Sequence, residues 1–365
     1  MRFLGMAGIS SAMVAACAIL SACGMGGLQT TVFGDAKDMD PMNDGSESAS
    51  SSLRLTMSSE KVLIGRPSSH AFDIFHAKKK KIPLLYVSDV ITDTVEVYDF
   101  ASGKEVGSAT GFVDPYGECS DKEGDAYVAD FAAGTVTMFA YGSTNGTVVA
   151  TGLKDPIGCS VDGKGDLAVS QYNGGRKGKG SVVIYEAGSK SGTAYNGPYL
   201  TWPPSFDAKG NLFVEGEDGS CGKSICVSEL PAGGTSFTTV ALKGATIGFP
   251  GSVERNLGKL EFGDQDYNGK HTTAIYSATC AGSTCTVTAT TNLTDNCTSG
   301  SYDDTVQWAE YSKRPNLQSK GSVTEVTGGN IDCSSRFNIW GFPGGGNPTG
   351  HMSGPQGAEG QTIVE

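Results

Sequence analysis

The sequence predicts an all-β protein assembled from similar four-stranded units, and three observations lead to this fold class. Phe112–Phe131 aligns without a gap with Leu153–Tyr172, 41 residues later, and seven positions coincide. Short runs of alternating apolar and polar residues are bounded by turn residues, which is the pattern of strands joined by hairpins. Glycine makes up 52 of the 365 residues, as suits an architecture with many tight turns.

Each unit has the same order of elements. Its first strand begins with Pro followed two residues later by Gly or Ser, at Pro115, Pro156, Pro203 and Pro250. A second strand ends in an acidic or polar residue, and a third strand runs into a glycine turn. The spacings of 41, 47 and 47 residues between these prolines match the blade of a β-propeller, in which each blade is a four-stranded sheet.

The two ends of the chain complete the count of blades. Leu84–Gly111 supplies the second, third and fourth strands of a unit but lacks the Pro-x-Gly strand, which is found at Pro355–Gly357. We therefore expect the C-terminal strand to pair beside the first blade and to close the ring, which removes two exposed sheet edges. A looser unit lies between Gly300 and Gly350, so the prediction is a six-bladed β-propeller.

The repeat resembles a known family. The order Pro-x-Gly, Asp, Gly-Asp and then a strand ending in Val128-Ala129-Asp130 resembles the NHL repeat and the related SMP-30/gluconolactonase-like six-bladed propellers. The resemblance covers roughly Leu84–Glu365. It implies the fold rather than an activity, because propellers of this kind include lactonases, lyases and binding scaffolds.

The N-terminus predicts export. Arg2 precedes an apolar run and then small residues, which is the arrangement of a secretory signal. Leu20–Cys23 resembles the lipobox of bacterial lipoproteins, in which the signal is cut before a Cys that then carries acyl chains; a plain signal peptide or an uncleaved anchor is the alternative. Because Gly24 is not Asp, the resemblance favours the outer membrane, on its periplasmic side or at the surface.

This signal divides the chain into three parts. We expect a lipoprotein signal peptide at 1–22, and lipidation at Cys23 that attaches the protein to the membrane of the bacterial cell envelope. Residues 23–60 are rich in Gly, Ser and Asp and predict a flexible tether. Residues 61–365 form the propeller domain.

Eight cysteines remain after those of the signal and the lipid site, and an even count in an exported protein indicates disulfides. Proximity suggests two short pairs. In the resembled fold, Cys119 and Cys159 occupy nearly equivalent places on neighbouring inner strands, where they bridge two blades, and the last pair follows by exclusion. Zinc is the competing interpretation, but no CxxC pair is present. The expected disulfides are Cys221–Cys226, Cys280–Cys285, Cys119–Cys159 and Cys297–Cys333.

Carboxylates at strand ends are candidates for a metal site. Asp89, Asp130 and Glu215 lie where the second strand of a unit ends, and the resembled propellers place these positions near the mouth of the channel. Hard cations such as Ca²⁺ take six to eight oxygen ligands, which converging carboxylates supply. The alternative is that these side chains accept backbone hydrogen bonds and set the turns.

A second candidate lies in Gly263–Lys270. Asp264, Asp266 and Asn268 spell the opening D-x-D-x-N-G of a calcium loop, but Ile275 takes the place of the bidentate Glu at its twelfth position. A polar hairpin turn is the alternative. The cofactor expectation is therefore Ca²⁺ or another divalent metal, or none.

Charge and the lack of catalytic motifs limit the function. A formal net charge of −12 argues against nucleic acid as a partner, and the sequence has no Gly-x-Ser-x-Gly elbow. We expect a monomer that acts as a non-catalytic binding scaffold for a protein or glycan ligand. The alternative is a divalent-metal-dependent lactonase, hydrolase or lyase of the gluconolactonase-like type. Aromatic residues that either line the binding face or pack in the core are Trp202, Trp308, Trp340 and Tyr199.

Overall fold

The computed structural model describes residues 82–175, 180–217, 224–256, 258–269, 273–294, 310–312, 324–330 and 336–364. These ranges contain 25 strands, one 3-10 turn and no α-helix, which confirms the all-β class. Within them, no helix is long and apolar enough to cross a membrane.

The first sheet joins the two ends of the described chain. Its strand order is β25-β1-β2-β3, and all three pairings are antiparallel. Leu84 lies opposite Val364, so the C-terminal segment pairs beside the first strand, as expected. The strands are β1 (Leu84–Asp89), β2 (Thr94–Asp99), β3 (Lys104–Thr110) and β25 (Ala358–Val364).

The register of β25 differs from the sequence prediction. Ala358 lies opposite Asp89, just as Pro115 lies opposite Asp130 in the next sheet. The structural counterpart of the Pro-x-Gly strand therefore begins at Ala358, and the assignment to Pro355–Gly357 was wrong by three residues. Pro355 therefore precedes its strand, whereas Pro115, Pro156 and Pro250 are the first residues of theirs.

The second and third sheets correspond to the two copies of the sequence repeat. Each has four antiparallel strands in chain order. The second sheet contains β4 (Pro115–Ser120), β5 (Ala126–Asp130), β6 (Thr135–Phe139) and β7 (Gly146–Ala150). The third sheet contains β8 (Pro156–Val161), β9 (Leu167–Gln171), β10 (Ser181–Tyr185) and β11 (Gly192–Asn196).

The next two units merge into one sheet, which the sequence did not predict. Ala241–Lys243 of β16 pairs in parallel with Thr284–Thr286 of β20, so the outer strands of the two units share hydrogen bonds. The first of these units contains β12 (Tyr199–Thr201), β13 (Ser205–Phe206), β14 (Leu212–Glu217), β15 (Ile225–Leu230) and β16 (Thr238–Lys243). The second contains β17 (Pro250–Asn256), β18 (Lys259–Asp264), β19 (Thr273–Ala281) and β20 (Thr284–Leu293).

The last sheet lies in the region of the looser unit, and its strands pair antiparallel in chain order. Trp340 and Phe342 on one of these strands pack with Ile275 and Leu293 of the merged sheet. The strands are β21 (Glu310–Ser312), β22 (Thr324–Asn330), β23 (Arg336–Phe342) and β24 (Gly350–Ser353).

Glycines allow the first strands of neighbouring units to approach closely. A Cβ atom on Gly360 of β25 would lie 2.8 Å from the Cα of Gly117, and one on Gly117 of β4 would lie 2.9 Å from the Cα of Gly158. Real Cβ atoms do not come this close, so these positions require glycine. The approach explains why Gly recurs two residues after Pro115 and Pro156 in the repeat.

Two predicted disulfides are confirmed. Cys119 on β4 is bonded to Cys159 on β8, with the Cα atoms 5.5 Å apart, and joins the second sheet to the third. Cys280 and Cys285 close the hairpin between β19 and β20. Cys226 is disulfide-bonded. The predicted pair Cys221–Cys226 and the pair Cys297–Cys333 both involve residues outside the described ranges, as does Cys23, and these assignments stay predictions.

Candidate binding face

The residue that ends the second strand of a unit holds the loop that leads into the first strand. In the second sheet, Asp130 accepts hydrogen bonds from the backbone N–H groups of Val113 (3.0 Å) and Asp114 (3.1 Å). In the first sheet, Asp89 accepts them from Gln356 (2.7 Å) and Gly357 (3.2 Å). Both carboxylates are buried, and the bonds satisfy donors that lie next to the start of an inner strand.

Two further units repeat this arrangement. Asp264 at the end of β18 accepts bonds from the N–H groups of Gly248 (2.9 Å) and Phe249 (3.3 Å). Gln171 at the end of β9 accepts one from Lys154 N (2.6 Å), so in this unit the acceptor is an amide oxygen instead of a carboxylate. We call the end of the sheets where these four side chains lie the clamp end.

These contacts bear on the predicted metal ligands. The carboxylates of Asp89 and Asp130 are used by backbone donors, which is the structural role that the sequence left open as the alternative. Among the residues that the structure describes, no group of three His, Cys, Asp or Glu side chains is arranged to hold a metal ion.

Glu215 lies one residue before the clamp position of its unit. The residue equivalent to Asp130 in this unit is Gly216, which lies opposite Thr201 as Asp130 lies opposite Pro115. Because this residue is glycine, the clamp position of the unit carries no side chain. The Glu215 side chain is fully buried, and one carboxyl oxygen accepts a bond from Gly251 N (3.0 Å). Burial, with the charge of Asp264 nearby, raises the pKa of Glu215 well above its usual value.

The predicted calcium loop follows the clamp residue of β18. Asp264 already accepts four hydrogen bonds, two of them from Asp266 N (3.1 Å) and the Tyr276 hydroxyl (2.8 Å). Burial raises the pKa of Asp264, and these donors act in the opposite direction. Asn268 is exposed in the 3-10 turn Tyr267–Gly269, with a φ of +57° that Asn tolerates.

The opposite end of the sheets, which we call the polar end, has turns set by a second group of aspartates. Asp121 accepts bonds from the N–H groups of Glu123 (3.0 Å) and Asp125 (2.9 Å) in the turn after β4. Asp162 and Asp207 make equivalent contacts in the turns after β8 and β13. Since β1 begins and β25 ends at this end, the described chain enters and leaves there.

The clamp end carries a cluster of large apolar side chains from four units. Trp202 packs edge-on against Tyr172 and Phe249, with ring centroids 5.9 and 5.3 Å apart. Tyr116 and Ile157 pack against the same group, and Tyr116 also contacts Phe131 at 5.3 Å. The aromatic cluster is Tyr116, Phe131, Ile157, Tyr172, Trp202 and Phe249.

Exposed apolar side chains concentrate at the same end. Four large hydrophobic side chains are exposed within the described ranges, and three of them, Ile91, Val113 and Tyr199, lie beside the clamp-end loops. Val113 is 59% exposed and Tyr199 is 45% exposed, whereas the fourth, Val148, lies on the edge strand β7. We call the aromatic cluster together with Ile91, Val113 and Tyr199 the binding face.

Sequence reasoning identified only part of this face. Trp202 and Tyr199 belong to it, Trp340 is fully buried in the core, and Trp308 lies outside the described residues. Tyr116 and Phe131 were missed, although a signal was present. Large side chains directly follow the repeated proline (Tyr116, Ile157) and the clamp residue (Phe131, Tyr172).

Carboxylates lie beside the apolar surface. Asp114, half-buried at the start of β4, has its pKa raised to about 6 by burial and by the neighbouring charges of Asp130 and Asp93. Asp93 is exposed in the turn between β1 and β2. The binding face therefore combines aromatic rings with a local excess of negative charge.

Comparison with known proteins supports the fold. No family model matches the sequence, and no curated protein matches it. A chain in the crystal structure of a nidogen/laminin complex is 13% identical, covers 78% of this chain and 98% of its own length, and has a TM-score of 0.54. A functionally unknown protein from Desulfotomaculum acetoxidans is 10% identical over 77% of this chain and 99% of its own, with a TM-score of 0.49.

A streptogramin B lyase is similar at 14% identity over 62% of this chain and 78% of its own, with a TM-score of 0.40. Identities this low carry information about the fold alone, and of the three structures named here the nidogen/laminin chain is the one whose TM-score exceeds 0.5. Together with the series of mostly four-stranded antiparallel sheets described above, that likeness identifies the fold of the chain as being of the β-propeller type.

Proposed function

We propose that this protein is a six-bladed β-propeller, closed by its C-terminal strand, that binds a protein or glycan ligand without catalysis. The observation that carries the proposal is the contrast between the two ends of the sheets. Aromatic and exposed apolar side chains collect at the clamp end, while the turns of the polar end are held by aspartates. Exposed apolar patches on soluble domains mark interaction sites.

Rigid loops support the same conclusion. The clamp residues accept hydrogen bonds from the backbone N–H groups of Val113, Lys154 and Phe249. These bonds hold the backbone that carries side chains of the binding face before a ligand arrives. Preorganised aromatic side chains lose little conformational entropy on binding and supply large contact areas. The metal-dependent alternative gains no comparable support, because three of its expected ligands, Asp89, Asp130 and Asp264, are engaged by backbone donors.

The location of the protein is part of the proposal. The protein is lipid-anchored in the bacterial envelope, with the lipid on Cys23 and a flexible tether at 23–60. The described part of the chain begins at Ile82, just before β1. Because β1 begins at the polar end, the described chain begins at the end opposite the binding face. Labelling with a radioactive fatty acid tests the anchor, and the Cys23→Ser variant should lose the label.

The binding function is tested with variants of exposed residues that do not support the core. The triple variant I91S/V113S/Y199S removes the exposed apolar part of the binding face, and V148S removes an equally apolar exposed side chain elsewhere. We would screen the wild-type domain on a glycan array and on an array of envelope polypeptides, and then titrate each hit.

The wild type and V148S should bind the same ligand with equal affinity, and the triple variant should bind at least about tenfold more weakly, because desolvated apolar contacts dominate interfaces. Equal binding by all three proteins contradicts the proposed face. Hydrolysis of a lactone panel by the wild type in the presence of Ca²⁺ would replace the binding function with the enzymatic alternative.

A further inference from the structure

The charge of the folded domain limits what the binding face accepts. Residues 82–365 contain 18 lysines and arginines against 32 aspartates and glutamates, a net charge of −14. Residues 1–81 carry a small positive charge, so the acidity of the protein resides in the part that folds. A field of this sign attracts cationic partners, raises their association rate and repels anionic polymers.

Negative charge is also present at the clamp end itself. In the loops and strand ends of this end that the structure describes, the basic residues are Lys154, Lys243 at the end of β16 and Arg336 at the start of β23. Arg176, Lys177 and Lys179 of the β9–β10 loop lie outside the described residues and are already included in the total of −14. Acidic residues outnumber them: besides the clamp residues Asp89, Asp130 and Asp264, the described loops and strand ends carry Asp93, Asp114, Asp155, Glu217 and Asp266.

Aromatic rings beside carboxylates suit a cation with an apolar body. The faces of Tyr and Phe rings attract ammonium and guanidinium groups within about 6 Å, and Tyr116, Phe131, Tyr172 and Phe249 are all only partly buried. Lysine and arginine side chains combine an apolar stem with a charged head, so one such residue contacts both features of the face.

We propose that the ligand of the binding face is a cationic polypeptide segment, in which lysine or arginine side chains alternate with apolar ones. This inference rests on the proposed function, because it names the class of ligand for the same face. The apolar residues of the segment pack against Val113 and Tyr199, and its basic residues lie near Asp93 and Asp155 at the rim. An anionic polymer is repelled, and a neutral glycan gains nothing from the charge.

The test uses three fluorescent probes of similar length: a lysine–leucine peptide, a glutamate–leucine peptide and a neutral glucose oligosaccharide. Binding to the oxidised protein is followed by fluorescence anisotropy at low and at physiological salt. The charge variant is D93N/D155N. Both positions have positive φ, 54° and 47°, which Asn tolerates as well as Asp, so the backbone is retained.

The matched control is E123Q/E186Q, which makes the same change of net charge at the polar end. Glu123 is exposed there, and Glu186 lies in the turn between β10 and β11. We expect the lysine–leucine peptide to bind the wild type and the control equally, and D93N/D155N about fivefold more weakly with a smaller dependence on salt. The other two probes should not bind.

Three results would overturn the inference: no binding of the cationic peptide, stronger binding of the oligosaccharide, or an equal loss in the control, which would indicate attraction to the whole acidic domain. The same variants test the proposed function independently of the preference for cations. If I91S/V113S/Y199S loses a ligand that D93N/D155N still binds fully, the face is correct and its preference for cations is wrong. If the triple variant binds every ligand normally, the face itself is wrong.

Discussion

The two confirmed disulfides allow a prediction with an internal control. Cys119–Cys159 closes a loop with a sequence separation of 40 residues, whereas Cys280–Cys285 spans only 5. A disulfide stabilises mainly by restricting the unfolded chain, and the restriction grows with the logarithm of the loop length. The chain-entropy relation gives about 4 kcal/mol for the long loop and about 2 kcal/mol for the short one.

The assay is urea unfolding of C119A/C159A and C280A/C285A beside the wild type, under non-reducing conditions, with free energies from linear extrapolation. The long-loop variant should be less stable than the short-loop variant by about 2 kcal/mol. Neither loop contains another cysteine, so the other disulfides affect both variants alike. Equal losses, or a larger loss for C280A/C285A, would refute the entropic reasoning and point to packing of the sulfur atoms instead.

Three further predictions concern the clamp, the glycines and a buried acid. Asp130→Ala removes the acceptor for the N–H groups of Val113 and Asp114 and should lower the free energy of unfolding by about 2–4 kcal/mol. Glu123→Ala, at an exposed position, should have little effect, and urea unfolding measures both variants. Gly117→Ala places a Cβ 2.9 Å from the Cα of Gly158 and should cost about 1–3 kcal/mol, while Gly163→Ala, with open space around it, should be neutral or slightly stabilising in the same assay. Burial raises the pKa of Glu261, a side chain only 3% exposed, from 4.5 to about 7, against the opposing effects of Ser277 and Lys259. Because the folded state holds the Glu261 proton more tightly than the unfolded state does, the bound proton stabilises the fold. This stabilisation is complete below pH 4.5 and is lost as the pH rises to 7. Glu261 alone should account for about 3 kcal/mol of the stability that the wild type loses over that window. Glu261→Gln should flatten the curve of melting temperature against pH there, and an unchanged slope would contradict the assignment.

The sequence predicted those features of the fold that depend on local pattern. Alternation and turn residues identified the strands, and the aligned Pro115 and Pro156 marked the first strands of two units because their surroundings repeat closely. The C-terminal strand was placed beside β1 but three residues early, since the assignment relied on the Pro-x-Gly pattern. The structure uses Gly360 for the close approach, and a lone glycine among many gives a weaker signal.

Contacts between residues far apart in the sequence could not be predicted from local sequence patterns. Nothing in Ala241–Lys243 indicates that it pairs with Thr284–Thr286, because parallel pairing of two outer strands depends on how their units are placed in space. Most of the binding face was missed for the same reason, although Trp202 and Tyr199 were among the candidates. Tyr116, Tyr172 and Phe249 are far apart in sequence, and they become one cluster only when the starts of several inner strands meet at one end.

The strand-end carboxylates show how one sequence pattern supports two interpretations. Acidic residues at Asp89, Asp130 and Asp264 are compatible with metal ligation and with turn formation, since both need oxygen acceptors. The structure favours turn formation for all three, and Gln171 makes the distinction visible in the sequence itself. An amide accepts a backbone hydrogen bond as a carboxylate does but is a poorer ligand for a hard cation.

The pairing of β25 with β1 has a consequence for biogenesis. The first sheet has no inner strand until the ribosome has released residues 358–364, so a partly synthesised chain leaves the edge of β1 unpaired. The first sheet therefore completes its pairing only after residues 358–364 have been synthesised. Truncation before Ala358 should therefore damage the first sheet, which is far from it in sequence, rather than the last one.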